Sequence, residues 1–180
     1  MSEFRVVGST TLLTSHVFRV ERREVDGPVG NFERDVVVHP GAVAVLARDD
    51  EGRVGLIRQF RAPIGRWVLE IPAGTLDVPG EDPLDAARRE LREELGVEAS
   101  SWRALGRFLV SPGWATQVMH IFEAEGLTSA EREPVGPEES TAEVIWLDPG
   151  ALRQRLAHEP EIDATMAVAL NRVYGTFLDG

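Results

Sequence analysis

Glu90, Glu93 and Glu94, with Arg89 immediately before them, are the residues of this 180-residue chain whose types and spacing could do chemistry. On a helix, spacings of three and four residues gather the carboxylates on one side. Like charges at those spacings cost an isolated helix about 0.2–0.5 kcal/mol per pair. A hard divalent cation reverses that sign, because carboxylate oxygens suit Mg²⁺ or Mn²⁺, which keep some water and engage phosphates. By number alone the three glutamates read more readily as a solvated acidic face. Their context points elsewhere: a loop containing Gly74 and Gly80 precedes them, followed by Glu81.

The elements that must position these residues can be read around them. Asp82 is a natural N-cap and Pro83 a natural first helical residue. Asp85 suits the positive end of the helix dipole, and Gly96 suits the position after the last helical residue. The helix is therefore expected over Pro83 to Leu95. At about 100° per residue, Leu84, Leu91 and Leu95 form a stripe for packing on a sheet. The glutamates lie on the adjacent face, with Ala86 and Ala87 leaving room above it. Before this helix, β-branched and aromatic runs predict strands over 5–13, 16–25, 33–39, 42–47, 53–60 and 67–71. The turn Arg48–Gly52 suggests a hairpin. After it come strands over 102–110, 117–124 and 143–147, with a polar loop over 126–139. A helix starting at Asp148-Pro149 should run to about His158. A last one, about Ile162 to Leu178, carries Met166, Leu170, Val173 and Phe177 at helical spacing. This order implies a mixed α/β fold with an extra β-rich piece at the N-terminus.

The length suits one globular domain, and the 43% hydrophobic fraction is ordinary for one. A formal charge of −11 disfavours nucleic acid and anionic membranes as partners, but permits an anionic small molecule bridged by cations. With no cysteine, disulfides and thiolate metal sites are excluded. The opening MSEFRVVGST has no apolar run of signal-peptide length and no segment is apolar enough to span a bilayer, so the expectation is a cytoplasmic protein. His16, His39, His120 and His158 form no metal-ligand spacing and read as structural or surface residues. Trp114 and Phe32 could stack on a base, but packing explains either at least as well.

The stretch Gly74 to Val97 resembles a Nudix box, G-x5-E-x7-R-E-U-x-E-E-x-G-U, where U is a bulky aliphatic residue. Gly74, Glu81, Arg89, Glu90, Leu91, Glu93, Glu94, Gly96 and Val97 carry the match, which is complete from Glu81 onward. The departure is one extra residue between Gly74 and Glu81, which lengthens the loop and leaves the helix register intact. Trp67 to Gly74 and Leu56 to Arg61 are similar to the runs before the box in the ADP-ribose pyrophosphatase subfamily, as is Pro112, sixteen residues past Gly96.

The resemblance implies a Nudix α/β/α sandwich with a mixed sheet, residues 39–180, and an N-terminal β subdomain, residues 1–38, that serves dimerisation and substrate binding. It implies Mg²⁺-dependent hydrolysis, Mn²⁺ being possible, of the pyrophosphate in a nucleoside diphosphate sugar. ADP-ribose, cleaved to AMP and ribose 5-phosphate, is the leading substrate. GDP-mannose or another nucleoside diphosphate derivative is the alternative, and a non-catalytic nucleotide-sensing module the remote one. By family position Glu90 and Glu94 would be the main metal ligands, Glu93 a further ligand or an aid to the water, and Ala73 a carbonyl ligand. Arg89 would orient a box glutamate, and Glu81 would be mainly structural. Arg61, then Arg58, would reach the substrate phosphates, with Glu70 and Pro112 in the substrate site. A loop glutamate often acts as the base in this subfamily. Glu139 is favoured here, with Glu138 close behind. The subfamily is usually homodimeric.

Overall fold

The computed structural model describes residues 3–178. Two sheets result. The first is antiparallel, in the order β1 (Arg5–Thr14), β2 (Arg19–Asp26), β3 (Phe32–Val38). The second is mixed and seven-stranded. Its path runs β10 (Glu143–Leu147), β5 (Val54–Arg61), β4 (Ala42–Arg48), β9 (Val118–Ser129), β8 (Val97–Leu109), with β6 (Arg66–Glu70) on β5 and β7 (Ala73–Thr75) on β4. Within it β4 and β9 run parallel and the other pairs antiparallel.

Strand β4 explains the layering. Six of its seven residues are buried, so both faces are covered. Ala42, Ala44 and Leu46 face a core completed by α3 (Pro149–Leu156) and α4 (Ala164–Tyr174) through Leu152, Leu156, Met166 and Leu170. Val43, Val45 and Ala47 face the other way, against Ala86, Ala87, Leu91 and Leu95 of α1 (Pro83–Leu95). A sheet between helices is the expected α/β/α sandwich. No helix among the described residues is long and apolar enough to cross a membrane.

The β4–β5 hairpin stays paired only at Ala47–Gly55 and Arg48–Val54. Beyond that the strands part. β5 takes β6 as its neighbour from Ile57 onward, and the start of β4 takes β7, with Val43 opposite Gly74. Val45 N–H donates to Pro72 O at 2.9 Å in the fork. The sheet therefore splits where the chain approaches α1, and β7 lies beside that helix.

Helix α1 has the expected bounds and caps: Leu84 N–H donates to Asp82 Oδ1 at 2.9 Å, and Gly96 is left-handed at φ 65°. Its apolar face differs from the expected stripe. Ala86 and Ala87 are fully buried on the sheet, where their small side chains let the helix approach closely, whereas Leu84 is only half-buried. Strands β8 and β9 are longer than expected, pairing as far as Val97–Ser129. At these ends Val97, Ala99 and Leu127 are half-buried on the α1 side of the sheet and alternate with exposed Glu98, Ser100 and Thr128, an apolar signal too short to extend the expected strands. The polar loop also contains a short helix, α2 (Gly136–Ser140). The last helix is shorter than expected because Asp163 caps it, accepting from Met166 N–H at 2.7 Å, and Gly175 closes it.

The N-terminal sheet joins the rest through the Ser111–Thr116 turn. Val37 N–H donates to Trp114 O at 2.8 Å, and Thr116 N–H to Val37 O at 2.9 Å. Pro112 is exposed in this turn.

Candidate active site

The site forms where β7 meets α1. Ala73 N–H donates to Glu94 Oε2 at 2.8 Å. Gly74, next along β7, faces Glu90 so closely that a Cβ would stand 1.9 Å from Glu90 Oε1. The extra residue of the box lies beyond this contact, in an exposed stretch ending in the turn Val78–Glu81, where Gly80 adopts φ 80°. The insertion leaves Gly74 against the helix.

Arg89 gathers the acidic residues. Its Nε and Nη2 donate to both oxygens of Glu81, at 3.1 and 3.0 Å. Its Nη1 donates to Glu90 Oε1 at 2.7 Å and to Glu93 Oε2 at 3.2 Å. The bonds to Glu81 lead in raising the Arg89 pKa. Charge at the carboxylates is nonetheless disfavoured. Burial pushes the Glu90 pKa up to about 7; Arg89 opposes this, and Glu93 and Glu139 add to it. Burial holds Glu94 well above its ordinary value, against the Ala73 N–H, and Glu90 and Glu139 reinforce it. Glu93 is raised in the same way, by burial first, with Arg89 opposing.

These features fit a hard divalent cation. The donors are all oxygen, two of the carboxylates are buried, and Gly74 forms a cradle that a larger side chain would fill. Among the described residues no three acidic or imidazole side chains converge as a ready ion site. Glu90 and Glu93 each turn one oxygen to Arg89, and Glu94 turns one to Ala73, which leaves the second oxygen of each carboxylate outside these bonds.

Glu139 lies on α2, and its negative charge acts on Glu90, Glu93 and Glu94 together. Its Oε2 accepts from Val135 N–H at 2.6 Å. Glu138 is exposed beside it. Arg61 reaches the site from β5, near enough to Glu94 and Asp163 for their charges to act on it. Burial works against its charge, but its bonds to Glu70, 2.9 Å from Nε, keep its pKa raised. Glu70 also accepts from the buried Gln59 at 3.0 Å. Arg58 is not brought to this cluster. It lies on the opposite face of β5, 5.2 Å from the Trp67 ring and 3.5 Å from Glu143. Pro112 is exposed in the turn that holds the N-terminal sheet.

Three residues near the site escaped sequence reasoning. Gln59 carried a usable signal, since it alternates with Ile57 and Arg61 along a strand. Asp163 fell inside the expected last helix, and only its residue type, one suited to an N-cap, was a signal. Arg132, in the polar loop, carried none. A cavity of about 610 Å³ opens between the N-terminal sheet and the box loop, lined in part by His16, Phe18, His39, Leu76 and Glu81. Its size is that of small-molecule sites. A second, of about 350 Å³, adjoins Arg89, Glu93 and Trp102 on the outer side of α1.

The chain is similar to known proteins over most of its length. It is 38% identical to the ADP-ribose pyrophosphatase of Mycobacterium tuberculosis over 168 residues, which cover 93% of this chain and 81% of that one. It is 32% identical to the GDP-mannose pyrophosphatase of Klebsiella pneumoniae over 161 residues, covering 83% and 78%. The crystal structure of an ADP compounds hydrolase superposes with a TM-score of 0.81 at 25% identity, covering 95% of this chain and 92% of the other. The NUDIX domain model matches residues 38–168, a span that includes the split sheet, the Gly74 cradle and the acidic helix, and the chain belongs to the Nudix family.

Proposed function

We propose that this protein hydrolyses the pyrophosphate of ADP-ribose to AMP and ribose 5-phosphate. The observation that carries the reading is the acidic cluster of Glu90, Glu93 and Glu94, with Glu90 and Glu94 buried against Gly74 and Ala73 and with Arg89 bonded to Glu90 and Glu93; the charge of Glu139 acts on all three. Such a cluster suits a site built to take up a cation and a phosphorylated substrate. The similarity to an ADP-ribose pyrophosphatase at 38% identity supports the substrate. The similarity to a GDP-mannose pyrophosphatase keeps GDP-mannose as the second reading.

Glu90, Glu93, Glu94 and the Ala73 carbonyl would hold Mg²⁺, with Mn²⁺ as a substitute. Such an ion neutralises the diphosphate and lowers the pKa of a bound water. Arg89 keeps Glu90 and Glu93 oriented, and Glu81 keeps Arg89 in place. Arg61, steadied by Glu70 and Gln59, binds substrate phosphate. Glu139 orients the attacking water and takes its proton, as a positioned carboxylate does in general base catalysis. A chain of charge −11 admits an anionic substrate through these cations.

The N-terminal sheet is a dimerisation piece in this reading. Phe4, Val6, Leu12 and Leu13 on and beside β1 are exposed apolar side chains of the kind a second copy would cover. Under the same reading the cysteine-free chain works in a reducing cytoplasm.

The test is a turnover assay of the purified protein with Mg²⁺ or Mn²⁺ against ADP-ribose, GDP-mannose and other nucleoside diphosphate sugars. AMP release from ADP-ribose at the highest kcat/KM is expected. A higher kcat/KM on GDP-mannose would replace the substrate, and binding without turnover would make the chain a sensor.

A further inference from the structure

The loop that carries Glu139 is fastened to the acidic helix by one side chain. Arg132 Nε donates to the backbone carbonyl of Glu94 at 2.7 Å, and Arg132 Nη2 donates to the backbone carbonyl of Glu139 at 2.9 Å. The first acceptor is in the last turn of α1, where carbonyls lack helical partners and the dipole is negative, so a guanidinium is favoured there. The second acceptor belongs to Glu139, which is near enough to the acidic cluster for its charge to act on all three glutamates. Gly96 leaves space for this arrangement: a Cβ there would meet Arg132 Cβ at 3.1 Å and Ala130 O at 3.2 Å. Ala130 N–H donates to Gly96 O at 2.8 Å, which anchors the chain just before Arg132. The box glycine thus ends the helix and also admits the residue that ties the loop to it.

We propose that Arg132 is a positioning residue, whose guanidinium sets Glu139 over Glu90, Glu93 and Glu94 by bridging the backbones of Glu94 and Glu139. This rests on the reading of Glu139 as the group that orients the water. The planar fork of arginine can serve two carbonyls at once. Lysine, a single ammonium on a flexible stem, does not hold that geometry. The exposed Arg92–Glu133 pair, 2.6 Å, also joins loop to helix but touches neither carbonyl.

The experiment measures kcat and KM for Arg132→Lys, Arg132→Gln, Glu139→Gln and the double variant Arg132→Gln/Glu139→Gln, with melting temperatures and amide exchange over residues 135–142. Arg132 is half-buried, so the fold should survive its loss. The expected result is a fall in kcat of about tenfold to a hundredfold for Arg132→Gln, part of the 10²–10⁴ a positioned base supplies. Arg132→Lys should lie between it and the native protein, with KM changed less than about twofold. Amide exchange over 135–142 should quicken. In the Glu139→Gln background, Arg132→Gln should cost nothing further, because its effect runs through Glu139. A lowered melting temperature with native kcat would make Arg132 a helix cap only and overturn the proposal. A loss that multiplies fully with that of Glu139→Gln would also overturn it. Native turnover in Glu139→Gln would instead remove the reading of Glu139 on which the proposal stands, whatever Arg132→Gln does.

Discussion

Gly74 and Glu90 touch across the gap between β7 and α1, and a Cβ on Gly74 would stand 1.9 Å from Glu90 Oε1. Gly74 sits in an ordinary strand conformation, without positive φ, so an alanine there strains no backbone dihedral. The substitution can be accommodated only by moving the carboxylate. Gly74→Ala should therefore fold normally and lose activity by about 100-fold, the cost that a displacement of about 1 Å can have in an active site. Circular dichroism and kcat measured together check this; native turnover in a folded variant would mean that Glu90 need not stay where it is.

Arg89 compensates Glu81, Glu90 and Glu93 at once, through four hydrogen bonds. Removing it leaves those carboxylates facing one another. Arg89→Ala should lower stability in the absence of metal by about 3 kcal/mol, the low end for breaking a buried ion pair, because Arg89 retains some solvent contact. A saturating divalent cation should restore part of that loss. Denaturant unfolding with and without Mg²⁺ checks it. Equal destabilisation in both conditions would show that the cation and Arg89 do not share the carboxylates.

The residues of α1 were legible in the sequence because their signals are local. Asp82, Pro83 and Gly96 bound the helix by their own backbone chemistry, and the phase of the helix then gathered Glu90, Glu93 and Glu94. What was not legible depends on partners distant in the chain. The three-residue strand β7 exists because Ala42–Ala44 pairs with it, and nothing within Ala73–Thr75 announces that. The far ends of β8 and β9 carry only Val97, Ala99 and Leu127 as half-buried apolar residues, too few on either strand to mark a strand without its partner. Arg132 acts through two carbonyls, 38 and 7 residues away. The separation of Arg58 from Arg61 was available: residues three apart on a strand point to opposite faces. Family likeness alone placed them together.

Glu138 and Glu139 are adjacent in sequence, and the fold distinguishes them. The charge of Glu139 acts on all three glutamates of α1, and its carboxylate is held by Val135 N–H, whereas Glu138 is exposed. Glu139→Gln should reduce kcat by about 10²–10⁴-fold, the usual contribution of a general base, while Glu138→Gln stays within about threefold of native. Steady-state kinetics at saturating metal decide it, and the reverse ranking would move the role to Glu138.

The buried carboxylates also set how stability depends on pH. In the folded chain burial raises Glu90 to about 7 and holds Glu94 well above the 4.5 that is ordinary for both. Between those limits the folded state binds more protons than the unfolded state, so stability falls as pH rises. Glu93 and Asp163, both raised by burial, act in the same direction. Asp35 and Asp49 are lowered below 3.8, so the stability they contribute is lost only in more acidic solution, outside this window. His39 and His120, both lowered from 6.5 by burial, oppose the slope in the upper part of the window, and the larger rises at Glu90 and Glu94 outweigh them. Without metal, the melting temperature should therefore decrease between about pH 4.5 and about pH 7. A divalent cation binds the ionised carboxylates and should flatten or reverse that slope. Glu90→Gln, which removes one of the titrating groups, should reduce it. Thermal melts across the window, in chelator and in Mg²⁺, measure all three. A melting temperature that climbs with pH in chelator would mean that the carboxylates of α1 are already ionised at little cost, and that burial does not hold them ready for a cation.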